Sequence, residues 1–178
     1  MVGVEEGSFR KGDKLALLVA VIMRETRVDD VLFTYVTVDG LDAVDRLVDL
    51  LRRSGGSVDL ILQHSIPYAG FNLMDPTRLH QELGVPVIVV NPEEPRPMAV
   101  RRALIHHFKD WRLRLRVLES VTPPKRIFLP DGSPLFLQPV GISESEAERI
   151  VRGLIVLGKR PEPLRVARIL ARELSKSL

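Results

Sequence analysis

Residues Val58 to Pro76, VDLILQHSIPYAGFNLMDP, decide how the chain is read. Val58, Leu60, Ile61 and Leu62 open the stretch as a buried strand. Polar, small and ring-bearing residues follow: Gln63, His64, Ser65, Pro67, Tyr68, Gly70, Phe71 and Asn72. Asp75-Pro76 then starts a helix, with Asp as N-cap and Pro at the first helical position. A strand that runs into a long polar loop before a helix is where open α/β folds place their sites. A loop that only turned the chain could be far shorter.

Working outward, the 178 residues suit one domain, 1–178, with a sizeable core. Apolar residues make up 45% and charged residues 28%, the composition of a globular chain. Cysteine is absent, which excludes disulfides, thiolate nucleophiles and Cys-ligated zinc. No apolar run approaches the ~20 residues of a membrane helix. No basic-then-apolar leader opens the chain, so a cytoplasmic location is expected. The excess of Arg over Lys, the frequent Pro and the missing Cys lean towards heat stability.

Charge is uneven. Residues 1–50 carry ten acids against six bases, whereas Arg96 to Arg126 carries nine bases against Asp110 and Glu119. The last thirty residues are basic again. Acids beside basic segments suit a metal site next to a phosphate-binding surface, although Arg at helical spacing is more often a solvated face.

In chain order, Val2 to Val4 is a short strand that delivers Glu5, Glu6 and Gly7. Adjacent strand residues point to opposite faces, so one glutamate is expected to face a given site. Leu15 to Met23 and Val31 to Val38 complete a three-stranded antiparallel meander, with turns at 12–14 and 28–30. Leu41 to Arg53 is an amphipathic helix with Asp39 as a plausible cap; either Asp39 or Asp42 could instead turn towards the glutamates. After the central stretch come a helix over 76–83, a wholly apolar strand at Pro86 to Val90, and a helix at Met98 to Phe108. Trp111 could stack on a base but is more commonly an anchor in or beside the core. Leu113 to Ser120 is ambiguous. A hairpin spans Pro130-Asp131-Gly132-Ser133, a helix capped by Ser143 runs to Leu157, and a final helix runs from Pro161 to about Lys176.

Three antiparallel strands, then helix, strand, helix, strand, is the order of an RNase H-like fold. The expected class is α/β, a mixed sheet with the meander followed by parallel strands and helices on both faces. Five segments, VGVEEG at the start, VDGLDA at 38–43, IPYAGFNLMD at 66–75, GVPVIVV at 84–90 and PEPLRVARILA at 161–171, together resemble a mostly archaeal family related to endonuclease V and labelled endonuclease dU-like. That resemblance implies a nuclease whose strand-end acids hold Mg²⁺ or Mn²⁺ and activate water against a phosphodiester. It implies Glu5, Glu6, His64 and Asp39 as catalytic candidates, with Glu5, Glu6, His64 and Asp75 as metal ligands. Tyr68, Gly70, Phe71 and Asn72 would line a pocket for a damaged or deaminated base, and Arg101 and Arg102 would hold phosphates. The family pattern has Asp-Asp where this chain has Glu5-Glu6, and Asp-Gly where it has His64-Ser65. His for Asp removes a charge and offers nitrogen, which suits Zn²⁺, Ni²⁺ or Mn²⁺ better than Mg²⁺.

Two functions follow: a metal-dependent endonuclease acting in nucleic-acid repair, or a catalytically inactive domain that binds nucleic acid or another protein. A small-molecule function lacks a phosphate loop or dinucleotide fingerprint behind it.

Overall fold

The computed structural model describes residues 1–176. Its strands are β1 (Val2–Glu6), β2 (Leu15–Arg24), β3 (Arg27–Thr37), β4 (Ile61–Gln63), β5 (Pro67–Tyr68), β6 (Asn72–Leu73), β7 (Val87–Asn91), β8 (Lys125–Phe128) and β9 (Pro134–Val140). Its helices are α1 (Ala43–Ser54), α2 (Pro76–Leu83), α3 (Pro97–His107), α4 (Trp111–Ser120), α5 (Glu144–Leu154) and α6 (Glu162–Leu174). The main sheet has the order β3-β2-β1-β4-β7-β9-β8, with β1–β4 and β4–β7 parallel and the other pairs antiparallel. The expected mixed sheet, meander first, is present.

Burial explains the apolar runs. Along β2, Leu18, Ala20 and Ile22 join the cluster under α1 and α2, while Leu17, Val19, Val21 and Met23 join the cluster under α6. A strand covered on both faces reads as continuous apolar sequence. Helices α1 and α2 cover one face, and α5 and α6 cover the other. Gly3 lets α6 lie against β1, because a Cβ there would run into the Pro163–Leu164 backbone.

Several expected boundaries move for physical reasons. Val28-Asp29-Asp30 lies inside β3, and Glu25-Thr26 makes the turn; Arg24 and Arg27 pair with Asp29 on this exposed ribbon. Helix α1 starts at Ala43, not Leu41. Asp39 does not cap it: Asp39 has a φ of 58° and its carboxylate accepts the Phe71 N–H. Asp42 occupies the cap position but bonds back to the Thr37 N–H and hydroxyl. The ambiguous 113–120 segment is the helix α4. The polar loop after β4 holds a small hairpin, β5–β6.

The order fixes where a site can form. From β1 the chain first builds outward through β2 and β3, and later through β4 and β7 on the other side. The boundary between β1 and β4 is therefore the switch point of the sheet, and the carboxyl ends of two parallel strands open there.

Candidate functional site

Glu5 and Glu6 end β1, and His64 directly follows β4. A cavity of about 330 Å³ opens at these ends, lined by Glu5, Glu6, Ser8, His64, Arg168 and Arg172 among others. His64 Nδ1 is 3.2 Å from Glu5 Oε2, and His64 Nε2 is 3.9 Å from Glu6 Oε1. The expectation that one glutamate faces the site is therefore corrected. The two side chains do leave opposite faces of β1, but the cavity wraps around the strand end and the imidazole reaches both.

Each group is held by its surroundings. Glu5 is 2% exposed, and its Oε1 lies 3.3 Å from Arg160. Burial pushes its carboxyl up to about 7, against the pull of Arg160 and Arg168. Glu6 is also raised by burial, while the Ala69 N–H that donates to its Oε2 opposes this. Burial, then the charges of Arg160 and Arg168, lower His64 to about 4, so the imidazole is neutral at pH 7. Its Nδ1 faces Glu5 out of line for a hydrogen bond, a buried ring nitrogen without an aligned partner among the described residues.

The loop residues support this centre from beneath. Tyr68 is fully buried; its hydroxyl donates to the Val4 carbonyl at 2.9 Å and accepts the His64 N–H at 3.3 Å. Its ring centroid is 4.5 Å from that of His64. Stacking on a base gives way to propping up His64, because no face of the ring is open. Asn72 is fully buried too: its Oδ1 accepts the Ala43 N–H and its amide donates to the Thr37 carbonyl and Asp42. It ties the loop to α1 instead of lining a base pocket. Phe71 meets Phe108 edge to ring, and Gly70 sits exposed at the hairpin tip with a φ of 82°. A Cβ on Gly70 would strike the Asp39 carboxylate.

Two acids expected at the centre are engaged elsewhere. Asp75 Oδ1 accepts the Thr77 and Arg78 N–H groups and caps α2. Asp39 serves Phe71, as above. Burial raises Asp42, but hydrogen bonds from Asn72, Thr37 and Arg46 outweigh it and hold its carboxyl low.

The basic stretch divides likewise. Arg114 is 4% exposed and donates to the carbonyls of Gly40, Phe71 and Asp39 while pairing with Asp110. It clamps loops and is closed to phosphate. Arg101 and Arg102 are exposed on α3. Arg101, with Arg96 and Arg126, lines a second cavity of about 1010 Å³ that begins at Ser65, next to His64. Trp111 is half-buried beneath the Arg112 guanidinium. Sequence reasoning missed Arg160, Arg168 and Arg172. Their one signal was the basic C-terminal segment, where Arg168 and Arg172 stand a helical turn apart.

The donor set does not fit a Mg²⁺ or Mn²⁺ site as arranged. The imidazole lies between the two carboxylates, so its two nitrogens face away from each other and the donors do not converge on one point. Glu5 faces Arg160, and Arg168 and Arg172 add positive charge to the wall. Among the described residues, no group of three or more His, Cys, Asp or Glu is arranged to hold a metal ion.

A family model described as Endonuclease dU matches residues 1–175. The chain belongs to the endonuclease dU family. A UPF0215 protein of Thermococcus gammatolerans is 39% identical over 177 residues, covering 96% of this chain and 89% of the relative. One from Methanothermobacter thermautotrophicus is 34% identical over 175 residues, covering 96% and 85%. A solved structure of a protein of unknown function from Archaeoglobus fulgidus superposes with a TM-score of 0.85 at 28% identity, covering 97% of this chain and 96% of that one. Endonuclease V of Ciona intestinalis, in complex with DNA containing an inosine followed by a ribo-adenosine, gives a TM-score of 0.66 at 15% identity, covering 99% and 85%. That last likeness is one of fold: this endonuclease dU family member has the endonuclease V architecture.

Proposed function

We propose that this endonuclease dU family member acts on nucleic acid as a phosphodiesterase of endonuclease type, seating a backbone phosphate in the cavity between β1 and β4. One observation carries this: Glu5, Glu6 and His64 line a single cavity with Arg168 and Arg172 at the switch point of the sheet. Guanidinium groups hold phosphate oxygens, and a carboxylate beside a neutral imidazole can take a proton from an attacking water. The second cavity, rimmed by Arg96, Arg101 and Arg126, offers a path for the strand on either side of that phosphate. The family's description and the inosine in the Ciona complex make deaminated bases the first substrates to test.

The experiment is cleavage of labelled single- and double-stranded oligonucleotides carrying deoxyuridine, deoxyinosine or ribonucleotides, in Mg²⁺, in Mn²⁺ and in chelator. The expected result is cutting by the wild type and none by Glu5→Gln. The ion pair from Arg160 to Glu5 favours a second function, binding without cleavage. Salt-sensitive binding with no cutting under any condition would replace the first with the second.

A further inference from the structure

We infer that the centre between β1 and β4 is an oxyanion receptor and not a divalent-cation site, so that its natural ligand group, a phosphate, binds through Arg168 and Arg172 without a bridging metal. The inference rests on the phosphodiester proposal for the identity of the polymer alone. Arg168 and Arg172 lie one turn apart on α6 and line the same cavity as Glu5, Glu6 and His64. Among the described residues neither is within ion-pair distance of a carboxylate, whereas Arg165 on the same helix is taken up by Glu162 at 2.6 Å. Both thus line the cavity without a carboxylate in direct contact among the described residues, although Glu5 feels the charge of each.

The acids of the centre are in the opposite condition. Glu5 Oε1 faces Arg160 at 3.3 Å and its Oε2 faces His64; Glu6 receives the Ala69 N–H. A dication would have to displace the imidazole from between the carboxylates and sit beside a triad of arginines. An oxyanion shares the cavity with Glu5 and Glu6, but Glu5 is offset by Arg160 and Glu6 by the Ala69 N–H, whereas Arg168 and Arg172 face it directly and His64 offers a buried nitrogen without an aligned partner. Ser8, exposed at the rim, adds a hydroxyl, its backbone N–H being taken by Ser175 Oγ at 2.9 Å.

The test titrates the full chain with inorganic phosphate by calorimetry, and separately with Mn²⁺, read by loss of the free-ion paramagnetic resonance signal. The proteins are wild type, the double variant Arg168→Gln/Arg172→Gln, and Glu5→Gln, each checked for folding by its thermal melt. The expected result is phosphate binding weakened about tenfold or more in the double variant, with no Mn²⁺ uptake by the wild type. Mn²⁺ uptake that Glu5→Gln abolishes overturns the inference. So does absence of phosphate binding, or phosphate binding indifferent to both arginines. If phosphate binds as expected while no oligonucleotide binds, the receptor stands and the nucleic-acid proposal falls.

Discussion

Glu5 and His64 are neighbours whose titrations burial shifts in opposite directions, and this makes their burial measurable. Glu5 is raised from 4.5 to about 7, so its contribution to stability is full below 4.5 and is lost as pH rises through 7. His64 is lowered from 6.5 to about 4, so its contribution is full above 6.5 and is lost as pH falls through 4. Between pH 4.5 and 6.5 the two slopes oppose each other. Melting temperatures from pH 4 to 8 should fall more steeply on acidification in Glu5→Gln than in the wild type. In His64→Gln they should instead fall as pH rises. Parallel curves for all proteins would contradict the burial of the two groups. Arg114 makes a second residue-scale prediction. Arg114→Ala leaves the part-buried carbonyls of Asp39, Gly40 and Phe71 without this donor, at a cost of about 3 kcal/mol in urea unfolding. Arg114→Lys should restore only part of this, since one ammonium cannot replace a planar fork. Asn72→Ala, which strands the Ala43 N–H, should cost about 2 kcal/mol in the same experiment.

At the scale of elements, α6 carries both packing and chemistry. Leu164, Ala167 and Ala171 are its buried stripe, and the small alanines let it approach β1 and β2 closely. Arg168 and Arg172 follow on the side that meets the ends of β1. Gly3→Ala should push α6 away from β1, lowering the melting temperature and weakening oligonucleotide binding together. A loss of stability with unchanged binding would show that α6 does not position the site. Periodicity made the long elements legible: the apolar β2, the Val44, Leu47, Val48 and Leu51 stripe of α1 and the Asp-Pro start of α2 stand as read, while Leu41 falls exposed before α1, and α2 keeps its bounds Pro76–Leu83. The β5–β6 hairpin was illegible because two-residue strands carry no period. Arg112, Arg114 and Arg116 look alike in sequence; only the loops that α4 lies against distinguish the buried one.

For the whole molecule, strand order decides where chemistry can occur; the meander followed by parallel strands was readable from the succession of elements, whereas the antiparallel addition of β9 and β8 beyond β7 was not. The positions of Glu5, Glu6 and His64 were readable with it. What the sequence hid was the sign of the charge around them. Arg160, Arg168 and Arg172 come from the far end of the chain, and only folding brings them to β1. Asp39 and Asp75, acids that sequence reasoning brought towards the centre, are engaged with backbone N–H groups elsewhere. The central claim is that the cavity between β1 and β4 holds a phosphate of a nucleic-acid strand. The most direct measurement is the affinity of a labelled single-stranded oligonucleotide across a salt series, for wild type and for Arg168→Gln/Arg172→Gln. The account predicts weaker binding by the variant and a salt dependence shallower by about 0.7, the slope of one phosphate contact on a single strand. Equal affinity and equal slope in the two proteins would contradict it.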